Sequence, residues 1–132
     1  MAKLVCDEML DAALQYLEDN ADWISVCEGA PTTYEHAHSH LGTATGKVLA
    51  HSSTPTFTGP APGASTGRKT TIDEEATITV DISSAGGGAD HVALCDIGAT
   101  KLLYVTTCTA QALVATNTVT IPAWTITIPA PT

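Results

Sequence analysis

The chain has 132 residues and a net charge of −9, from 14 acidic and 5 basic side chains, and only 14% of it is charged. That length predicts a single domain, since one core is rarely divided below about 200 residues, and five scattered bases exclude a surface that tracks nucleic-acid phosphates. Thr (22) and Ala (20) are abundant while Leu, Ile, Val and Phe number 27 together, so the core is thin and burial against partners is expected to add to stability.

Eight of the acids fall in residues 1–35 beside the single base Lys3, so the first quarter carries −7 and the remainder −2. The opening residues run into Asp7, Glu8 and Asp11 without the apolar stretch or small-residue cleavage site of a signal peptide. No apolar run approaches the roughly 18 residues that a bilayer-crossing helix needs. Cys6, Cys27, Cys95 and Cys108 are too far apart for a C-x-x-C zinc or redox motif. Buried free thiols behaving as small apolar residues are expected.

In chain order, residues 4–20 predict a helix, because Cys6, Met9, Leu10, Ala13, Leu14 and Leu17 repeat at the 3.6-residue period. Its other face is acidic, with Asp7, Glu8 and Asp11 at the end that the helix dipole favours for anions. Residues 23–27 predict a strand buried on both faces. Gly29 to Thr33 then break the chain, residues 34–46 predict a long connection or an irregular edge strand, and 47–51 a brief strand. Residues 52–67, with their Pro, Gly, Ser and Thr, predict a loop.

Ala76, Ile78, Val80 and Ile82 alternate with Thr77, Thr79 and Asp81, which predicts a strand with one dry face. Further strands are predicted at 91–96, 102–108, 118–121 and 124–128. The fold class is therefore α+β, mainly β: an N-terminal helix over residues 1–21 and an antiparallel β-sandwich, jelly-roll or immunoglobulin-like, over 22–132 with a long loop at 52–67. The β-branched, hydroxylated threonines suit strands with a wet face, and Trp23 and Trp124, each in such a strand, read as packing anchors.

Among polar clusters, His36, His38 and His40 would project to one side of an extended segment, where three imidazoles suit Zn²⁺ or Ni²⁺. A solvated loop or an interface cluster accounts for the same residues, so no metal is assigned. His91 follows Asp90, but neighbours in a strand face opposite ways, so Asp90 is not expected to orient it. Asp73 to Glu75 read as solvated charge. Arg68 and Lys69 are suited either to bridge to the acidic face of a neighbouring copy, through Asp7, Glu8 and Asp11, or to pair locally with Asp73 to Glu75. Serine-nucleophile, phosphate-loop and EF-hand signatures are absent.

Several strings in shared order resemble a family of small structural proteins of tailed-bacteriophage virions. They are Asp7 to Leu17 with its Leu-Asp-Ala-Ala-Leu core, Pro31 to Tyr34, Leu41-Gly42, Ser65 to Lys69, Ala89 to Asp96, Leu102-Leu103 and Ile126 to Pro131. The histidine-rich stretch 36–40 departs from the family's small and hydroxylated residues. The resemblance implies a virion protein without catalytic activity or cofactor, made in the host bacterial cytoplasm and placed on the outer capsid surface as a decoration or cement protein. Its implied partners are itself, as a homotrimer, and the major capsid protein, with neither nucleic acid nor membrane. A tail or neck component, and a receptor- or glycan-binding module of a tail fibre, are the rival readings.

Overall fold

A computed structural model describes residues 5–63 and 67–131. The chain is mainly β, about 45% strand and 15% helix, with a helix first and every paired strand antiparallel. This is the class the sequence predicts. Contacts gather into two compact units, each assembled from separated stretches: one from the segment ending at Asn20, Thr56–Glu74 and the segment from Pro122 on, the other from Ala21–Pro55 and Glu75–Ile121.

The first unit holds α1 (Asp7–Asn20), β3 (Phe57–Pro62), β4 (Arg68–Ile72) and β9 (Trp124–Ile128), its sheet running in the order β3-β4-β9. The apolar stripe of α1 is narrower than its sequence period suggests: Leu10, Leu14 and Leu17 are buried, whereas Cys6, Met9 and Ala13 are exposed. Three leucines at i, i+4 and i+7 suffice to seat one helix on one small sheet. β4 and β9 supply the other side of this core through Ile72 and Ile126, with Thr70, also buried, opposite Ile126 in the register.

β3 lies inside the stretch whose prolines and glycines predict a loop. An edge strand uses only one side of its backbone in the ladder, so it tolerates proline. The register also breaks between Thr58 and Ala61, which takes Gly59 and Pro60 out of the pairing. The strings Ser65-Thr66 of the resemblance lie outside the described residues.

The second unit contains β1 (Trp23–Cys27), α2 (Tyr34–His38), β2 (Val48–Ser52), β5 (Glu75–Thr79), β6 (Ala89–Asp96), β7 (Lys101–Gln111) and β8 (Thr118–Ile121). Four strands form a sheet in the order β2-β1-β6-β7, and β5 pairs with β8. β1 is buried at all five positions, so both of its faces are covered, as the inner strand of a sandwich-like layering requires. One face carries Trp23, Ala93 and Cys95, which pack with Ala37 of α2. The alternate residues Ile24, Val26, Val92 and Leu94 are buried on the other face.

β5 departs from the strict alternation read in the sequence. Ile78 and Val80 are buried, but Ala76 is exposed and Ile82 only half-buried. Thr77 has φ 55° and the register breaks between Glu75 and Ile78. A left-handed residue re-aims the backbone, so the period of two does not survive across it.

Residues 34–46, expected to be a long connection or an irregular edge strand, instead begin with a short helix. Thr33 caps α2, its Oγ1 accepting a hydrogen bond from the His36 N–H with the extended backbone (φ −136°, ψ 162°) that an N-cap needs. The end of this short helix is completed by the sheet. The Trp23 Nε1–H and the Ser25 hydroxyl both donate to the Ala37 carbonyl, at 3.0 and 2.8 Å. The Lys47 N–H donates to the His36 carbonyl and the Val48 N–H to that of Ser39. A helix of five residues cannot satisfy its own C-terminal carbonyls, and here the sheet provides their donors.

Candidate functional site

Tertiary structure separates the three histidines that an extended segment would align. His36 Nδ1 accepts the Thr32 backbone N–H at 3.2 Å and contacts the Thr32 hydroxyl at the same distance. His38 lies stacked on Tyr34, with ring centroids 4.9 Å apart, and tilted against Trp23 at 4.6 Å. Only His40, beyond the end of α2, enters a polar site: its Nε2 lies 3.3 Å from Asp81 Oδ2. The helical turn across 34–38 is the cause, because residues two apart on a helix point to different sides.

His40 is joined by a histidine that sequence spacing did not single out. His51 Nδ1 lies 2.7 Å from the same Asp81 Oδ2, and the His51 ring stacks on Trp23 at 4.1 Å with planes 12° apart. Backbone pairing sets this meeting. Ala50 and Val80 form an antiparallel bridge, and the Asp81 N–H donates to the Leu49 carbonyl at 2.8 Å. His51 and Asp81 therefore sit diagonally on the face opposite Val80. His40 is brought in by its own bridge to Val48, flanked by the Leu41 N–H donating to the Val48 carbonyl. His51 and Asp81 also line an open depression of about 400 Å³, together with Ser52, Thr54, Glu75 and Thr77.

A second imidazole–carboxylate pair corrects the expectation for His91. Its Nδ1 lies 2.8 Å from Asp90 Oδ1, which also accepts the Gly29 N–H at 2.8 Å. Ala89 pairs with Gln111 and His91 with Thr107, so the extra residues of this irregular stretch lie on β7, and the two side chains meet although they are neighbours on β6. The hydrogen bond with His91 is the main influence holding the Asp90 carboxyl below its ordinary pKa.

Within its own chain Arg68 pairs with Asp11 and not with Asp73 to Glu75. Its Nε and a terminal NH₂ group donate to the two carboxylate oxygens of Asp11 at 2.6 and 3.1 Å, and Asp7 lies 3.9 Å away. The guanidinium is thus engaged by this chain's own helix, and the bond to Asp11 raises its pKa further. The neighbouring same-face residue Thr70 donates to Glu18 at 2.6 Å. Two positions of β4 two residues apart therefore meet acids two helical turns apart on α1, which draws Asp11 and Glu18 to the sheet while Asp7, Glu8 and Asp19 stay exposed. Of the expected contact residues, Asp7 and Glu8 stay exposed, Asp11 is occupied, and Lys69 is half-buried within β4.

Cys27 and Cys95 are free and fully buried, as small apolar residues would be, while Cys6 and Cys108 are free and exposed. Burial pushes the Cys27 thiol up to about 11 and the Cys95 thiol up to about 12. Both stay protonated at neutral pH and are poor nucleophiles.

β7 is an edge of its sheet, eleven residues long, with only β6 beside it among the described residues. From Thr107 to Gln111 every residue is exposed. Lys101 is its single charged side chain, and it contains no proline. Among the described residues no helix is long and apolar enough to cross a membrane.

Comparison with known protein families, curated proteins and solved structures finds no match.

Proposed function

We propose that the protein is a non-enzymatic structural component that assembles with copies of itself and, in the setting the resemblance implies, decorates the outer surface of a tailed-bacteriophage capsid. The observation that carries the assembly reading is the β7 edge. Natural sheets guard exposed edges with charges, prolines, bulges or covering segments, because unpaired backbone groups recruit other strands. Here the C-terminal half of an eleven-residue edge is exposed and uncharged, and the irregular pairing between Thr107 and Gln111 is its one guard among the described residues. A symmetric oligomer would cover it, and a trimer about a local threefold axis of a capsid would do so at every copy. The exposed Asp7 and Glu8 offer an acidic contact for a basic patch on the major capsid protein.

The protonated state of the buried thiols fits packing rather than covalent chemistry. The virion setting draws its support from the ordered strings of the sequence, and the assembly role from β7. The two are separable by experiment. Size-exclusion chromatography with light scattering across the micromolar range is expected to show a trimer, and a double substitution Thr107→Lys with Thr109→Lys to yield a folded monomer. A wild-type chain that is monomeric throughout that range sinks the assembly role. For the setting, gel densitometry of intact particles is expected to give hundreds of copies. A few copies per particle would move the protein to the neck or tail, and its absence from particles would remove it from the virion.

A further inference from the structure

We propose that His40 Nε2, His51 Nδ1 and Asp81 Oδ2 form a binding site for a divalent metal ion of the Zn²⁺ class. The inference is independent of the assembly role. The three ligand atoms lie within 4.8 Å of one another, and both imidazoles aim at one carboxylate oxygen. Two neutral imidazoles and a carboxylate are the donor set of borderline divalent ions. Ligand atoms around a tetrahedral Zn²⁺, with bonds of about 2.1 Å, are separated by about 3.4 Å. The His40–Asp81 distance of 3.3 Å already matches this. The 2.7 Å His51–Asp81 contact opens by a small side-chain rotation once the shared proton is replaced by the metal.

The ligands are held by structure that does not depend on the ion. His51 is fixed by its stack on Trp23, whose own ring is tethered through Nε1 to the Ala37 carbonyl. Asp81 is fixed by the backbone bond to Leu49, and His40 by the bridge to Val48. Such support around the ligands is what pre-organises a metal site. With side chains 47%, 30% and 29% exposed, the site is open to entry, and a fourth position is left to water or an incoming ligand. Because the ligands lie 11 and 30 residues apart in the chain, the ion would tie the 39–46 connection to β2 and to the segment after β5. It would close loops much as a disulfide does.

The test uses the full chain, stripped of metal with a chelator and then titrated with Zn²⁺ by calorimetry. One equivalent is expected to bind and to raise the melting temperature. His40→Ala and Asp81→Asn should each weaken binding at least tenfold and abolish the thermal shift, while His36→Ala, outside the site, should leave both unchanged. His51→Ala also removes the stack on Trp23, so the exposed His40 gives the cleaner variant, with circular dichroism to verify its fold. Wild-type protein that takes up no Zn²⁺, or His40→Ala and Asp81→Asn variants that bind it as wild type does, would overturn the proposal. So would an equal loss in His36→Ala, which would mark binding as a general property of the histidine-rich stretch.

Discussion

The docking of α2 on the sheet is open to a quantitative test, because one buried carbonyl receives two donors. Ala37 is fully buried, and its carbonyl accepts from both Trp23 Nε1 and the Ser25 hydroxyl. Trp23→Phe keeps an aromatic ring against His51 and leaves Ser25 on the carbonyl. Its expected cost is about 2 kcal/mol, from one hydrogen bond and some lost packing. Ser25→Ala leaves Trp23 on the carbonyl and is expected to cost about 1 kcal/mol. The double variant strands the carbonyl in a dry interior, which adds a desolvation penalty of about 1–3 kcal/mol that neither single change incurs. The prediction is a super-additive loss, with a coupling of about 1 kcal/mol or more. Urea unfolding followed by far-UV circular dichroism measures it, with the slope m expected to be the same in all four proteins. Additivity to within about 0.4 kcal/mol would refute the shared-acceptor account.

Three further outcomes follow from the same geometry. Asp90 has a folded-state pKa below its ordinary value of 3.8, so the unfolded chain binds its proton first on acidification. Its stabilisation is therefore complete above that value and is lost as the pH falls through the lower folded-state value. Acid titrations of wild type and Asp90→Asn should show a stability gap at neutral pH that closes in strong acid, and a gap of constant size would contradict the pair. Gly46 is packed so closely that an added Cβ would meet the carbonyl oxygens of His40 and Ser39; Gly46→Ala should cost about 2 kcal/mol or more and displace His40, read out as weaker Zn²⁺ binding. Native alkylation followed by mass spectrometry should label Cys6 and Cys108, with Cys27 and Cys95 reacting only after unfolding; early labelling of Cys95 would contradict its burial.

What could be read from the sequence was whatever local periodicity controls. The leucines of α1, the largely apolar β1, and the strands at 118–121 and 124–128 follow from spacing alone, because burial on one or two faces imposes a period on the chain. The elements that escaped are those whose local signals conflict with their tertiary setting. α2 is only five residues long, with Ala37 its one buried side chain, and draws the donors for its C-terminal carbonyls from the sheet. β3 is a proline-bearing strand at a sheet edge.

The polar sites were legible only in part, for the same reason. His40 stood out among clustered histidines, but His51 and Asp81, 11 and 41 residues further on, carry no spacing that links them. Only the Ala50–Val80 bridge and the turn of α2 decide that these two meet His40 while His36 and His38 point elsewhere. Arg68 likewise had no sequence neighbour to reveal that Asp11, 57 residues earlier, would take up its guanidinium. Composition and periodicity therefore determined the class of this protein, a thin-cored and mainly β chain led by an acidic helix. Strand register and bulges decided which of its few charged and imidazole side chains meet, because those contacts join parts of the chain that no local pattern connects.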